Sequence, residues 1–254
     1  MDAKKRIDWV KKIIGKSGAN GVVLGLSGGK DSAVVCALCA KANIKVLGTY
    51  LPIGNNSTTD IEYIEPLLKA FPQVEFHNYA PEILKEVFEK IRDASYNHNP
   101  ISEKSGEMSI ANIKPRIRMT MLYAIAQSRN YLVAGTGNAC ESYVGYFTKW
   151  GDGAHDFNPI ADLTVDEVIE LGRDLGVPEK CLVRVPSAGL WDGQTDEGEL
   201  GVKYSDIAKI IKFGEKAIEH GVSESDYQKI ESMHTRSLHK LNPIPTFEEP
   251  KMYY

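Results

Sequence analysis

Apolar residues recur along the chain in two rhythms, and each change of rhythm marks a new element. Over residues 4–16, Ile7, Val10, Ile13 and Ile14 fall on one helical face. Gly21 to Ser27 is an unbroken apolar run of strand type that stops at Gly28-Gly29. A helix is predicted from Ser32 to Ala42, a strand from Lys45 to Leu51, a helix from Thr58 to Phe71 and a short strand from Val74 to Asn78. Ala80 to Arg92 is again helical, and the polar stretch Ser95 to Ser109, with Pro100 and Gly106, reads as a surface excursion. Asn112 offers an N-cap and Pro115 suits a first turn, after which Ile117, Met121, Ala124 and Ile125 follow helical spacing. Tyr131 to Thr136 is a further buried strand. Thr164 to Glu167 has the form of a capping box opening a helix to about Leu175. Pro186 to Gly201 is rich in Gly, Asp and Glu and reads as a mobile lid; two helices and a proline-containing tail follow.

Strands alternating with helices in this way predict a parallel sheet covered on both faces. The expected fold is α/β, an open parallel-sheet, Rossmann-like sandwich forming a single domain over residues 1–254. No internal repeat or interdomain linker interrupts the pattern.

Composition adds mainly exclusions. Hydrophobic residues make up 43% and charged residues 25% of 254, which are ordinary globular values and exclude disorder. No apolar run approaches the ~18 residues needed to span a bilayer. The charged start, MDAKKRIDWVKKIIGK, lacks a signal-peptide core, so the expected location is cytoplasmic, with no membrane partner. A net charge of −4 argues against a nucleic-acid partner held by bulk charge. Any polyanionic ligand must meet a local basic pocket. Cys36 and Cys39 form a C-x2-C, but within the apolar helix SAVVCALCAKA and without a second pair they read as core thiols.

The stretch Gly25-Leu26-Ser27-Gly28-Gly29-Lys30-Asp31-Ser32 joins a predicted strand to a predicted helix. Paired glycines let backbone N–H groups approach phosphate oxygens, and the helix N-terminus adds donors and a favourable dipole. Ser27 and Ser32 can donate hydroxyl hydrogen bonds. Asp31 would repel phosphate unless Mg²⁺ sits between them. The octet is not a Walker A loop, because Leu24 and Asp31 occupy positions that such a loop gives to Gly and Ser or Thr.

SGGKDS resembles the pyrophosphate-binding loop of the N-type ATP pyrophosphatases, which cleave ATP between its α and β phosphates. Three further segments resemble one branch of that family, the ammonia-dependent NAD synthetases. They are Asn112-Ile-Lys-Pro-Arg116-Ile-Arg118-Met119, with Pro115 where Ala is common, and Gly135-Thr-Gly-Asn138 through Glu141 with Gly145-Tyr-Phe-Thr-Lys149-Trp-Gly-Asp152. The third is Pro186-Ser-Ala-Gly-Leu190 with Gly193-Gln-Thr-Asp-Glu197. The matches run in order from residue 25 to about 236.

The resemblance implies the adenine nucleotide alpha hydrolase-like fold and ATP-dependent amidation of deamido-NAD by ammonia, through an adenylated carboxylate. Asp31 and Glu141 would hold Mg²⁺. Gly25 to Ser32, Thr136 and Ser187 would contact ATP, and Arg116, Lys149, Asp156, His234 and Thr235 would contact deamido-NAD. Asp31, Glu141 and Lys149 are then the candidate catalytic residues, and a homodimer is expected. The length leaves no room for a glutaminase domain, so free ammonia is the expected nitrogen donor. The chain departs from the family pattern where a phosphate-binding lysine is replaced by Val165, which shares a stripe with Val168, Ile169 and Gly172, and where Thr235 stands for the lysine of a His-Lys pair. Two alternatives stand beside this reading: another adenylating enzyme with the same loop, or a nucleotide-binding paralogue with weakened catalysis.

Overall fold

The computed structural model describes residues 2–53, 57–98, 103–184 and 195–246. Helix α1 (Ala3–Ser17) leads into strand β1 (Gly21–Gly25), and α2 (Lys30–Lys41) returns the chain to β2 (Lys45–Tyr50). Helix α3 (Ser57–Ala70) and β3 (Glu75–Asn78) extend the sheet in the same direction. Three helices follow before the next strand: α4 (Pro81–His98), α5 (Glu103–Ala111) and α6 (Ile113–Arg129). Strand β4 (Tyr131–Val133) completes a four-stranded, wholly parallel sheet of order β3-β2-β1-β4.

The sheet separates two apolar layers because successive strand side chains point to opposite faces. Val22, Leu24 and Val46 pack with α1, α2 and α8 (Val165–Leu175) in the main core. Val23, Leu47 and Val133 pack on the other face with Ala126, Leu122 and Tyr123 of α6. The expected helix coverage of both faces is therefore present. Helix α2 is buried almost all round, which explains its nearly continuous apolar sequence and the absence of a polar stripe. All four cysteines are free and buried, as expected of core thiols, and burial pushes the Cys36 thiol up to about 12.

A second core lies outside the sheet. It joins α7 (Ala139–Val144), α10 (Asp196–Leu200), α11 (Tyr204–Phe213) and α12 (Glu224–Leu241) around Cys140, Val144, Tyr204, Ile207, Ile210 and Ile230. The short α9 (Glu179–Leu182) instead buries Cys181 and Leu182 in the main core.

Several local expectations are revised. Ser95 to Ser109 is not a simple surface excursion: α4 continues to His98, and α5 begins at Glu103 and buries Ala111. Asn112 has helical backbone angles and no capping bond, because its amide nitrogen bonds the Met108 carbonyl and nearly fuses α5 to α6. Its side-chain oxygen instead accepts a hydrogen bond from Thr148. Ala124 is exposed, so the apolar stripe of α6 runs through Ile117 and Ala126. The Thr164–Glu167 capping box forms as expected and the helix ends at Leu175, with Gly176 left-handed at φ 80°. Within the predicted lid, residues 185–194 lie outside the described residues, but 196–200 form a helix capped by Thr195 and carry a buried Asp196.

Candidate active site

The strand order reverses between β1, which leads to β2, and β4, which arrives from across the sheet. In open α/β sheets this switch point, beyond the carboxyl ends of the strands, opens a crevice for ligands. Here it opens into a cleft of about 1050 Å³.

The loop after β1 forms one wall. Leu26 N–H bonds the Thr49 carbonyl at 2.7 Å, carrying the sheet one residue beyond the strand. Gly28 then turns left-handed at φ 76°, and a β-carbon there would lie 2.8 Å from the Asp60 carbonyl oxygen. Glycine is required both for the conformation and for that close approach. Ser27 and Ser32 hydroxyls lie 3.2 Å apart, Gly29 N–H bonds Ser27 Oγ, and Ser32 Oγ bonds the Gly29 carbonyl. These contacts hold the loop in shape. Gly29 caps α2 with no side chain, so the helix presents its first N–H groups to the cleft.

Asp31 and Glu141 meet across the switch point. Neither lies in a loop: Asp31 is in the first turn of α2 and Glu141 in the first turn of α7. Asn138, fully buried, links them. Its Nδ2 donates to Asp31 Oδ1 at 3.1 Å, its backbone N–H donates to Glu141 Oε2 at 2.9 Å, and its Oδ1 accepts from Glu141 N–H at 3.0 Å. Burial pushes the Glu141 carboxyl well above the usual carboxylate range, and the charge of Asp31 pushes it further. Lys30, 5% exposed, reaches Asp31 Oδ2 at 2.9 Å. Burial alone would lower its ammonium, but the charges of Asp31, Glu141 and Asp196 outweigh that and hold it above its ordinary value.

Two carboxylates facing a phosphate-sized opening form a hard-oxygen donor set. Among the described residues no cluster of three or more metal-ligating side chains exists. Mg²⁺ suits such a place, since it is commonly held by one or two carboxylates with water and substrate phosphate completing the shell.

Thr136 lines the cleft between Gly135 and Gly137, the latter fixed by Asn158 Nδ2 on its carbonyl at 2.8 Å. Arg118 and Lys240 bring two further cations to the cleft lining. Arg118 donates to the Leu51 carbonyl at 2.9 Å, and Lys240 donates to the Gly145 and Phe147 carbonyls, each at 2.7 Å. Burial lowers the Lys240 ammonium.

The remaining sequence candidates divide. Gly25, Leu26, Ser27, Gly29, Lys30, Asp31, Ser32, Thr136 and Glu141 all line the cleft, and Gly28 lies within the same loop. Ser187 is outside the described residues. Arg116, Lys149, Asp156, His234 and Thr235 do not line it. Arg116 donates to the Lys149 carbonyl, and Lys149 donates to the His239 carbonyl with its ammonium 5.4 Å from the Trp150 ring. Asp156 is a strand-end clasp, accepting from Val133 N–H at 2.7 Å and from the Tyr123 hydroxyl at 3.3 Å. His234 stacks on Tyr143 with ring centroids 4.1 Å apart, and Thr235 is exposed on α12. Sequence reasoning passed over Lys240. The signal was present: His239-Lys240 is itself a His-Lys pair, five residues beyond the pair chosen from the pattern. Val165 is half-buried rather than a full core residue. It packs on the second core and lines a smaller cavity of about 350 Å³ beside Lys30.

Comparison with known proteins identifies the family. The NAD synthase family model matches residues 3–244. An NH3-dependent NAD+ synthetase from Carboxydothermus hydrogenoformans is 43% identical over 85% of this chain and 86% of its own. One from Archaeoglobus fulgidus is 40% identical over 94% of this chain and 92% of its own. The solved structure of an NMN synthetase from Francisella tularensis superposes with a TM-score of 0.86 at 35% identity, covering 97% of both chains. By this match over residues 3–244 and by these relatives, the chain belongs to the NAD synthase family.

Proposed function

We propose that this chain converts deamido-NAD to NAD with ATP and ammonia, releasing AMP and pyrophosphate. The observation that carries the reading is the meeting of Asp31 and Glu141 through Asn138 beside an uncapped helix N-terminus, within a chain of this family.

A carboxylate is a poor electrophile, so its oxygen must first be activated. The nicotinate carboxylate attacks the α-phosphorus, the bond to the β-phosphate oxygen breaks, and its electron pair leaves with pyrophosphate. Ammonia then adds to the acyl carbon, AMP leaves with the C–O electron pair, and the surplus proton passes to solvent. Loop N–H groups from Gly28 onward and the first turn of α2 hold the phosphates. Asp31 and Glu141 would hold Mg²⁺, which when bound neutralises phosphate charge. Thr136 contacts ATP. Arg118 and Lys240 give the cleft positive charge that a dinucleotide needs. Catalysis rests on positioning and electrostatics. Arg116, Lys149 and Asp156 adjoin lining residues Pro115, Thr148 and His155 in sequence, and their contribution to deamido-NAD binding is expected in a homodimer, where a second copy covers that side.

AMP release that requires both deamido-NAD and ammonium tests the reading. ¹⁸O placed in the substrate carboxylate should appear once in AMP; label in inorganic phosphate would mean an acyl phosphate instead. The likeness to an NMN synthetase favours a second reading, in which the mononucleotide with a nicotinate carboxylate is the substrate. Comparing kcat/KM for the mononucleotide and the dinucleotide decides between the two. Among the described residues no helix is long and apolar enough to cross a membrane.

A further inference from the structure

Among the described residues, four cationic side chains of Lys or Arg line the two cavities: Lys30, Arg118, Arg184 and Lys240. Arg118 and Lys240 are engaged by backbone carbonyls of Leu51, Gly145 and Phe147. Lys30 is engaged by the Asp31 carboxylate. Arg184, like Lys30, lines both cavities, and it reaches the phosphate loop from a distant part of the chain, donating to the Ser27 carbonyl.

Its guanidinium is held from three sides. Nη1 donates to the Ser27 carbonyl at 2.9 Å, Nη2 donates to Asp60, and the guanidinium carbon lies 4.5 Å from the Tyr63 ring centroid. Asp60 is fixed in turn by the Tyr50 hydroxyl at 2.8 Å. A β-carbon on Gly28 would come within 2.6 Å of Nη1, so the cation lies directly over the left-handed turn. A guanidinium carries five N–H donors in a planar fork suited to phosphate oxygens, and these contacts use part of that set. Val165, which brings no charge, lines the smaller cavity as well, together with the carboxylates Asp166 and Glu197, so that Lys30 and Arg184 are its cations among the described residues.

We propose that Arg184 binds the pyrophosphate leaving group of ATP at the smaller cavity. The inference rests on the adenylation reading above and adds a residue to it. As the bond between the α-phosphorus and the bridging oxygen breaks, negative charge grows on the departing pyrophosphate. Arg184 meets that charge while remaining protonated; no proton or bond is transferred to it.

Titration calorimetry with inorganic pyrophosphate and Mg²⁺, and separately with AMP, tests this. Arg184→Gln should weaken pyrophosphate by about tenfold or more, as loss of a charge-assisted contact predicts, and leave AMP within about twofold. Arg184→Lys should lose less. Adding Val165→Lys to Arg184→Gln should recover part of the pyrophosphate affinity, because both positions line one cavity. Pyrophosphate affinity unchanged in Arg184→Gln, or equal losses for pyrophosphate and AMP, would overturn the proposal; the second outcome would show that Arg184 merely shapes the loop. If Arg184→Gln does not fold, Arg184→Lys with undiminished pyrophosphate affinity overturns it equally. Failure of the wild type to form AMP from deamido-NAD would refute the adenylation reading while leaving the pyrophosphate titration independently readable.

Discussion

One part of the cleft lining comes from a single stretch, Gly25 to Ser32, whereas Met108, Arg118, Thr148, Gly153 and Lys240 come to it from separate parts of the chain. The first group is a strand, a tight turn and a helix N-terminus, and its donors are mostly backbone N–H groups fixed by the fold. The second group is held by side chains reaching backbone carbonyls: Arg118 to Leu51, and Lys240 to Gly145 and Phe147. Backbone donors on a buried helix tolerate little change, while long side chains at a seam between segments can be re-sorted. The loop is where ATP phosphates would be held, and the scattered side chains are where substrate choice between a mononucleotide and a dinucleotide would be set.

The sharpest break of the comparison is at the carboxylate pair. Asp31→Ala or Glu141→Ala should reduce turnover by at least about a hundredfold without unfolding the protein, since each removes a carboxylate proposed to hold Mg²⁺ from a helix first turn. Near-normal turnover with an unchanged melting temperature would remove that residue from the metal site.

Lys240→Ala should act on the scattered group. Loss of a charge-assisted contact of roughly 1.5–3 kcal/mol predicts a rise of about tenfold or more in KM for the dinucleotide, with KM for ATP little changed. Equal rises in both constants would mean that Lys240 supports the cleft as a whole and that the two groups are not separable.

Gly28→Ala probes the loop backbone without touching a charge. The added β-carbon meets the Asp60 carbonyl and a left-handed φ, a strain of order 1–3 kcal/mol, and should lower the melting temperature by several degrees and weaken ATP. A melting curve matching the wild type would show that the loop yields easily.

The smallest effect concerns pH. Glu141 has its folded-state carboxyl raised by burial and by Asp31, so above the ordinary carboxylate range its ionised form costs stability. Glu141→Gln should therefore melt about 2–4 °C higher than the wild type in metal-free neutral buffer, if the cost is near 1 kcal/mol. The gain should shrink as pH falls through the raised folded value, where the wild type also becomes neutral, and should vanish below the unfolded value. A gain that persists in acid would assign it to packing.

Much of the fold was legible because its signals are local. The apolar runs at 21–25, 45–50 and 131–133 have strand character whatever surrounds them, and the two-sided cover follows from alternation of strands and helices. The loop was legible for the same reason, since Gly28, Ser27 and Ser32 act within a few residues of one another. Asn112 shows the limit: its type and position fit an N-cap, but α5 already occupies the backbone before it, and the side chain serves Thr148, thirty-six residues away.

Sequence by itself determined the alternation of strands and helices and the phosphate loop. Each depends on side-chain period or on groups a few bonds apart. Tertiary structure decided that Asn138 bridges Asp31 and Glu141, that Arg184 lies over Gly28, that Lys240 rather than His234 lines the cleft, and that Val165 edges a cavity. These contacts join positions far apart in the chain, and the packing of α7, α8 and α12 against the sheet sets which side chains can reach them. No spacing along the sequence encodes that distance.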